Sequence, residues 1–507
     1  NLAKANNIPW IIHVDETGRF KPEVTDFAGT KVKPKPEAKD EHQKADIEVI
    51  KWMAHQSPTP LFAKEKIVHS YPHCMRCDTP IIYYALPSWF INIQKAKSDI
   101  LKKAESMTWI PFHLKEGRFK HIAENAPDWN ISRNRYWATP LPIWKCVDCK
   151  TNKFVNSLED LKNKSKNSGN TYYVMRHGNT ESNMNGIVSF KKQKDDHLTI
   201  EGRKQVIATA NYLKDKEIDL IVTSPFTRTE ETTEIIRDVF GLTKEQVIED
   251  DRLHEVDPGD FDVKSWEEYH EHVKGTGPGW FERKTANGES YADVKRRTAE
   301  TLYELEEKYK NKKILIVTHG GPAWLLYVNA GLFEPDGKEY HPANFHAFIK
   351  DFKRFENAEF RPLPFSPLPH NKEFELDLHR PYIDEIKLVC DCGGEMERIP
   401  EVMDCWFESG SMPFAQDHFP FENENWQENN FPAGFVAEYI AQTRTWFYYS
   451  HVVSTILFGH APYEHVVTTG TLRAEDGQKM SKSKKNYPDP WIFIDKYGVD
   501  ALRLYLM

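Results

Sequence analysis

The chain has 507 residues, with 76 acidic against 67 basic side chains and a formal net charge of −9. That balance excludes a globally basic nucleic-acid binder, so any RNA contact has to come from local patches. The length implies several domains, each able to bury its own core, and no apolar run approaches the ~18 residues that span a bilayer. Three close cysteine pairs, Cys74/Cys77, Cys146/Cys149 and Cys390/Cys392, read as metal knuckles in a reducing compartment rather than as a disulfide framework. The chain starts at Asn1 and stops at Met507 inside an apparent helix, so it is expected to be cut at both ends.

Residues 1 to about 70 alternate short apolar runs with turn and charge clusters, and 31–46 is a proline- and charge-rich loop on a mixed α/β domain. Ile47, Ile50 and Met53 then fall at helical spacing. After Trp144 comes KCVDC with Cys146 and Cys149, and VCDCGGEM supplies Cys390 and Cys392 more than 240 residues later. Two thiolate knuckles, the second a tight C-x-C followed by a glycine pair, suit a four-cysteine structural Zn2+ ribbon. Cys74 and Cys77, with His73, are either a second zinc site or free buried thiols, and Cys405 reads as a small packed hydrophobe.

Between the knuckles, polar 156–170 and proline-rich 361–369 (RPLPFSPLP) read as linkers around a domain at 171–355. Tyr172–Met175, Leu220–Thr223 and Ile314–Val317 are short strand-like runs, and Val206, Ala210 and Leu213 have helical spacing. The alternation predicts a parallel sheet with helices on its faces. The three strands deliver Arg176-His177-Gly178, Ser224 with Arg228 four residues on, and Thr318-His319-Gly320. In open α/β sheets the site lies outside the carboxyl ends of the strands. RHGNTESN (176–183), SPFTRTEET (224–232), LHE (253–255) and VTHGG (317–321) together resemble the histidine phosphatase family, which includes phosphoglycerate mutases.

The chemistry agrees with that resemblance. Phosphoryl transfer needs a neutral nucleophilic nitrogen and cations around the three equatorial oxygens. His177 is the candidate nucleophile through a phosphohistidine, and Arg176 and Arg228 can grip phosphate in forked geometry. Glu255 is the candidate general acid on the leaving oxygen, a role that needs a raised pKa. The resemblance adds His319 and Asn183 to the pocket and implies a cofactor-free reaction on an unidentified phosphomonoester. A domain that only binds phosphate or tethers is the alternative, and a fusion artefact a third. Gly275–Gly279 with Trp280 is a candidate lid.

Beyond Leu376, Gly434–Gly459 reads as one aromatic-rich helix carrying Glu438, Gln442 and Trp446 in a single stripe. Buried Glu and Gln without partners would be costly, which favours a site there. His465–Thr471 reads as a buried strand leading to the lysine-rich stretch 477–486. Lys479 and Lys482, three residues apart, can flank a triphosphate and neutralise charge on departing pyrophosphate. A solvated basic loop is the bland alternative. Tyr497–Tyr505 begins a further helical domain.

Lys479-Met480-Ser481-Lys482-Ser483 matches the nucleotide-loop signature of class I aminoacyl-tRNA synthetases letter for letter. The stretches 69–90, 129–144, 376–416 and 434–459 resemble the isoleucine branch of that family, with Ala138 and Tyr439 where glycine is usual. The resemblance implies an α/β chain: a partial Rossmann-type catalytic domain with an editing-domain remnant and a zinc ribbon, interrupted by the α/β phosphatase domain. Residues 1–125 would be the C-terminal part of the editing domain, which hydrolyses mischarged valyl-tRNA. A second hydrolytic site makes sense because one methylene is worth only ~1–3 kcal/mol in a pocket. Residues 126–155 would return to the catalytic region with the first knuckle, 375–404 would carry the second, and 405–507 would complete the catalytic domain. The implied reaction is ATP- and Mg2+-dependent activation of isoleucine and its transfer to tRNA(Ile), by a cytoplasmic monomer without membrane contact. Lys479, Ser481, Lys482 and Ser483 would bind ATP, and Glu438 and Gln442 the aminoacyl-adenylate. No HIGH-type motif, main editing motif or anticodon-binding domain lies in these residues. The chain alone is therefore expected to show no isoleucine-dependent pyrophosphate exchange.

Overall fold

The computed structural model describes residues 6–9, 11–34, 43–65, 67–74, 77–134, 137–190, 196–274, 281–331, 354–421, 423–480 and 485–506. The chain divides into two units between Ser88 and Trp89. In the first, helix α1 (Lys44–His55) carries Asp46 in its first turn and His55 in its last, each matched to the helix dipole. Ala45 is buried and Ile47 exposed. Phe27 packs edge-on against Trp52 at 5.8 Å. Otherwise the described residues of this unit form turns and isolated bridges such as Val14 with Phe20.

The second unit opens with α2 (Ile93–Ala104), β1 (Thr108–Ile110), β2 (Ile143–Cys146), β3 (Asn152–Phe154) and α3 (Leu158–Lys164). It continues through β4 (Thr171–Arg176), α4 (Ile200–Leu213), β5 (Leu220–Thr223), α5 (Thr227–Phe240) and β6 (Val247–Glu249). Then come α6 (Tyr291–Lys308), β7 (Lys313–Thr318), α7 (Gly320–Asn329) and β8 (Phe360–Leu363). Beyond the insert lie β9 (Leu388–Val389), β10 (Glu395–Arg398), β11 (Ala433–Tyr439), α8 (Trp446–Phe458) and β12 (Tyr463–Thr469). Among the described residues no helix is long and apolar enough to cross a membrane.

Three sheets position the sites. A parallel sheet in the order β11-β12-β1 pairs Val436 with Val466 and Val466 with Trp109. Its core joins Ile100, Trp109, Phe119 and Trp129 to Val436, Phe447 and Val452. Residues from 93 onward thus share a core with residues 433–466. The reason is burial: Trp109 and Phe119 have almost no exposed surface, and their partners are Phe447 and His451.

The second sheet, β9-β10-β2-β3, is antiparallel and assembles from residues on both sides of the insert. The third, β8-β4-β7-β5-β6, is parallel except for its edge strand β8. β7 (KILIVT) is buried along nearly its whole length, as expected of a central parallel strand covered on both faces. α4 starts at Thr199, whose side chain accepts from Gly202 N–H, and α6 starts from a Ser290/Asp293 capping box.

Two readings need correction. The flanks of the insert are not linkers. Ser157 caps α3, and Leu161 is buried in one cluster with Trp144, Leu388 and Met396. On the return side, Phe360–Leu363 is a sheet strand whose Pro362 is tolerated because β8 is an edge, and Phe365 enters the core beside Tyr172. A few apolar residues in polar or proline-rich text suffice to dock both flanks. Nor is 434–459 one helix. Its first six residues belong to β11, held by parallel pairing with β12, then Ile440–Arg444 makes a 3-10 turn before α8. Non-local pairing overrides the local helical spacing. The candidate lid, Gly275–Gly279 with Trp280, lies outside the described residues.

Candidate active site

β4, β7 and β5 run parallel with Arg176 opposite Thr318 and Thr223 opposite Val317, so their carboxyl ends coincide. His177 N–H donates to Thr318 O at 3.0 Å and Ser224 N–H to Val317 O at 3.1 Å. That brings the three predicted stretches to one sheet edge.

His177 is 2% exposed. Its Nδ1 lies 2.8 Å from the carbonyl oxygen of Gly178, which can only accept, so Nδ1 carries the proton and Nε2 the lone pair. Burial, then the charges of Arg228 and Arg176, hold its pKa well below the usual histidine value, keeping the ring neutral. The His319 ring lies 5.2 Å away, edge-on. Arg228 Nε donates to His319 Nδ1 at 3.2 Å, so His319 Nε2 carries the proton and donates to Ser224 Oγ at 2.8 Å. Burial and Arg228 also push the His319 pKa well down. Arg228 is further held by Asp196 Oδ2 at 3.0 Å and by the Ser189 carbonyl at 2.9 Å.

Arg176, Asn183 and Glu255 line a cavity of about 360 Å3. Arg176 donates through Nη1 to Phe355 O at 2.7 Å, and its buried Nε has no hydrogen-bond partner among the described residues. Glu255 Oε1 accepts from Val256 N–H at 2.9 Å. Asn183 Oδ1 accepts from Asn357 Nδ2 at 2.9 Å, and Asn357 also reaches His177 O at 3.4 Å. All six predicted residues are therefore brought together, three on the cavity wall and three (His177, Arg228 and His319) packed into the sheet edge.

Sequence reasoning missed most of the wall. Trp266, Tyr291, Trp324 and Phe355 supply an aromatic side, while Arg354, His270 and Asn357 add polar groups. These residues come from separate segments and form no motif; only the topology collects them. Asp196, which holds Arg228, lay three residues before the Thr199 cap without a signal of its own.

The second predicted site is at the parallel β11-β12 edge. Glu438 pairs in register with Thr468, is exposed, and accepts through Oε1 from Tyr439 N–H at 2.9 Å. Gln442 sits in the turn, where its Oε1 accepts from the Thr445 hydroxyl and, at 3.2 Å, from Trp446 N–H. The expected helical stripe is absent because Glu438 lies in a strand while Trp446 begins α8. Lys479 lies 5.2 Å from the Tyr439 ring centroid, bringing one end of the lysine loop to the strand end that carries Glu438. Ser481, Lys482 and Ser483 lie outside the described residues.

Cys146, Cys149, Cys390 and Cys392 converge with all four Sγ atoms within 4.8 Å of one another. Two pairs, Cys146/Cys392 and Cys149/Cys390, stand at 3.6 Å. A tetrahedral ion with metal–sulfur bonds of ~2.3 Å separates its sulfurs by roughly 3.8 Å, so the donor set fits a metal such as zinc. Among the described residues this is the one such cluster. Cys74 is half-buried and Cys77 exposed, its thiol directed at Thr79 Oγ1 at 3.3 Å, so neither is a buried thiol. Cys405 is exposed at a helix start rather than packed.

The family model described as tRNA synthetases class I (I, L, M and V) matches residues 23–200 and 370–507, more than half of the chain. The model described as Histidine phosphatase superfamily (branch 1) matches 172–349. Isoleucine–tRNA ligase of Treponema denticola is 27% identical over 100% of this chain and 26% of its own length. The ligase of Bacillus thuringiensis is 27% identical over 100% of this chain and 28% of its own length. The chain thus spans about a quarter of the length of these curated relatives. Among solved structures, a mycobacterial glucosyl-3-phosphoglycerate phosphatase is 26% identical, covering 38% of this chain and 91% of that chain, with a TM-score of 0.31.

Proposed function

Because the chain belongs to the class I tRNA synthetases of the isoleucine, leucine, methionine and valine group, with a histidine phosphatase domain set between its cysteine knuckles, we propose that it is part of an isoleucine–tRNA ligase carrying a second, phosphohistidine-forming hydrolase. The ligase part would work with ATP, Mg2+, isoleucine and tRNA(Ile) in the cytoplasm, as a monomer. Lys479 and Lys482 would face the triphosphate, Ser481 and Ser483 would line the loop, and Glu438 would meet the amino group of the adenylate with Gln442 beside it. In the intact protein, Lys482→Ala should lose isoleucine-dependent pyrophosphate exchange; unchanged exchange would remove the loop's role. Cys146, Cys149, Cys390 and Cys392 would hold zinc, which supplies folding energy to the ribbon.

In the insert, the neutral Nε2 of His177 attacks phosphorus while Arg176 and Arg228 offset the charge on the equatorial oxygens. The phosphorus–oxygen ester bond breaks, and Glu255 gives its proton to the leaving oxygen. Glu255 then takes a proton from water as that water's oxygen attacks the phosphohistidine, releasing phosphate and restoring His177. The observation carrying this reading is the His177 Nδ1–H bond to Gly178 O, which fixes the nucleophilic tautomer. His177→Ala should be inert toward an aryl phosphate that the wild type hydrolyses. A binding-only module is the second reading, favoured by the 2% exposure of His177; equal inertness of wild type and variant would select it.

A further inference from the structure

We infer that Arg297, on α6, is the positioning residue for the candidate acid: it fixes the peptide units around Glu255 so that the carboxyl group meets the leaving oxygen. This role rests on the hydrolase reading above. Arg297 does not line the cavity, whereas Glu255 does. Glu255 lies between two 3-10 turns, Asp251–Leu253 and Gly259–Phe261, in a segment without strand or helix hydrogen bonds of its own. An acid must be held to within a fraction of an ångström, so its backbone there has to be tied from outside. Four hydrogen bonds tie it. Arg297 donates through Nη1 to Arg252 O and through Nη2 to Glu255 O, the latter at 3.1 Å. Thr318 Oγ1 donates to Leu253 O and His254 Nδ1–H to Glu255 O, each at 2.6 Å.

Of these donors, Arg297 holds two carbonyls at once, three residues apart in the chain. A planar guanidinium suits that task, because its rigid fork sets the distance between the two oxygens. The fork is itself fixed by Glu289, which accepts from Nε through Oε1 at 3.0 Å and from Nη2 through Oε2 at 2.9 Å. Glu289 Oε2 also accepts from Asp257 N–H at 3.1 Å. The pair therefore grips the acid segment before Glu255, at Glu255 and after it. Its two side chains are only 11% and 22% exposed, so the grip is little loosened by water.

The test uses the leaving group. A nitrophenyl phosphate expels an oxygen that departs without a proton, whereas an alkyl phosphate needs one from the acid. The ratio kcat/KM extends only to departure of that oxygen, so hydrolysis of the phosphohistidine does not enter it. In the whole chain, Arg297→Met should lower kcat/KM on the alkyl ester about 10- to 100-fold more than on the nitrophenyl ester. Glu255→Gln should show the same selective loss. A partly unfolded protein or a distorted phosphate pocket lowers both esters alike, so selectivity separates positioning from mere support. Equal losses on the two esters in Arg297→Met overturn the assignment and leave the hydrolase reading standing. A selective loss in Arg297→Met with none in Glu255→Gln also overturns it. Wild-type protein inert toward both esters removes the hydrolase reading and this role with it. Where Arg297→Met does not fold, Glu289→Gln weakens the fork while keeping an acceptor for Asp257 N–H. A selective loss of about threefold or more is then expected, and no selectivity overturns the assignment.

Discussion

His177 and Gly178 are bound to each other through a 2.8 Å hydrogen bond from the ring Nδ1–H to the adjacent carbonyl, so the nucleophile's tautomer is fixed by its own sequence neighbour. No separate carboxylate is needed to orient the ring. Protonation of Nε2 is opposed first by burial and then by Arg228 and Arg176.

The sign of that shift gives a pH dependence. A lowered pKa means His177 stays neutral as pH falls below 6.5, so the acid limb of kcat/KM lies well under that value. An aryl phosphate with a strongly acidic second ionisation keeps the substrate from setting the limb. Arg228→Met removes a cation that disfavours imidazolium, so the limb should move upward. A limb near 6.5 in the wild type would mean that the ring is not held neutral.

Gly321 is required by contact rather than by backbone angle. A Cβ there would stand 2.7 Å from Glu255 Oε1 and from Val256 Cγ2, whereas one at Gly320 would sit 3.6 Å from Arg176 Nε. Gly321→Ala must therefore displace the candidate acid, and a shift of this size lowers kcat by about 10- to 100-fold. Gly320→Ala should stay within about threefold of wild type, since 3.6 Å is an ordinary contact. Equal effects of the two, read by steady-state kinetics, would place Glu255 outside the chemistry.

Arg176, His177, Arg228 and His319 were legible because their three stretches follow strand-like runs, and parallel strands bring their carboxyl ends together, whereas Asn183 and Glu255 lie on stretches that only the family resemblance linked to them. Tyr172–Met175 and Ile314–Val317 are such runs, and the structure pairs them directly. The aromatic wall was not legible: Trp266, Tyr291, Trp324 and Phe355 lie tens of residues apart and share no periodicity. The strand Ala433–Tyr439 was hidden for a related reason, since its partner Tyr463–Thr469 lies beyond α8 and local spacing favoured a helix.

Zinc content tests the ribbon. Roughly one equivalent per chain is expected by elemental analysis, lost in Cys149→Ser and Cys392→Ser. Both residues are exposed, so a chelator should strip the ion and lower the melting temperature. Absence of bound metal in protein purified with its thiols reduced would leave the four sulfurs as a thiol cluster only.

A buried carboxylate adds to the apolar docking of the insert's first flank. Glu306 Oε1 accepts from Ser168 N–H at 2.8 Å and Oε2 from Tyr172 O–H at 2.6 Å, both buried. Glu306→Ala leaves two buried donors unsatisfied and should cost about 2–3 kcal/mol in denaturant unfolding, with Glu306→Gln losing less. A change below about 0.5 kcal/mol would revive the reading of 156–170 as a free linker.

Acid should destabilise the fold through its buried neutral histidines. Burial lowers the His451 pKa to about 4, while its Nε2–H donates to Ile100 O at 2.7 Å. His177 and His319 are lowered in the same direction. Below an unfolded-state value near 6.5 the unfolded chain binds more protons than the folded one, so stability falls as pH drops. For His451 the loss is about 1.4 kcal/mol per pH unit, running from roughly pH 6.5 toward its folded value. His451→Phe removes one titrating group from the shared core of α2 and α8, beside Phe119. Its unfolding free energy should therefore fall less steeply between pH 6.5 and 5 than that of the wild type. Equal slopes would mean that His451 is already protonated in the fold.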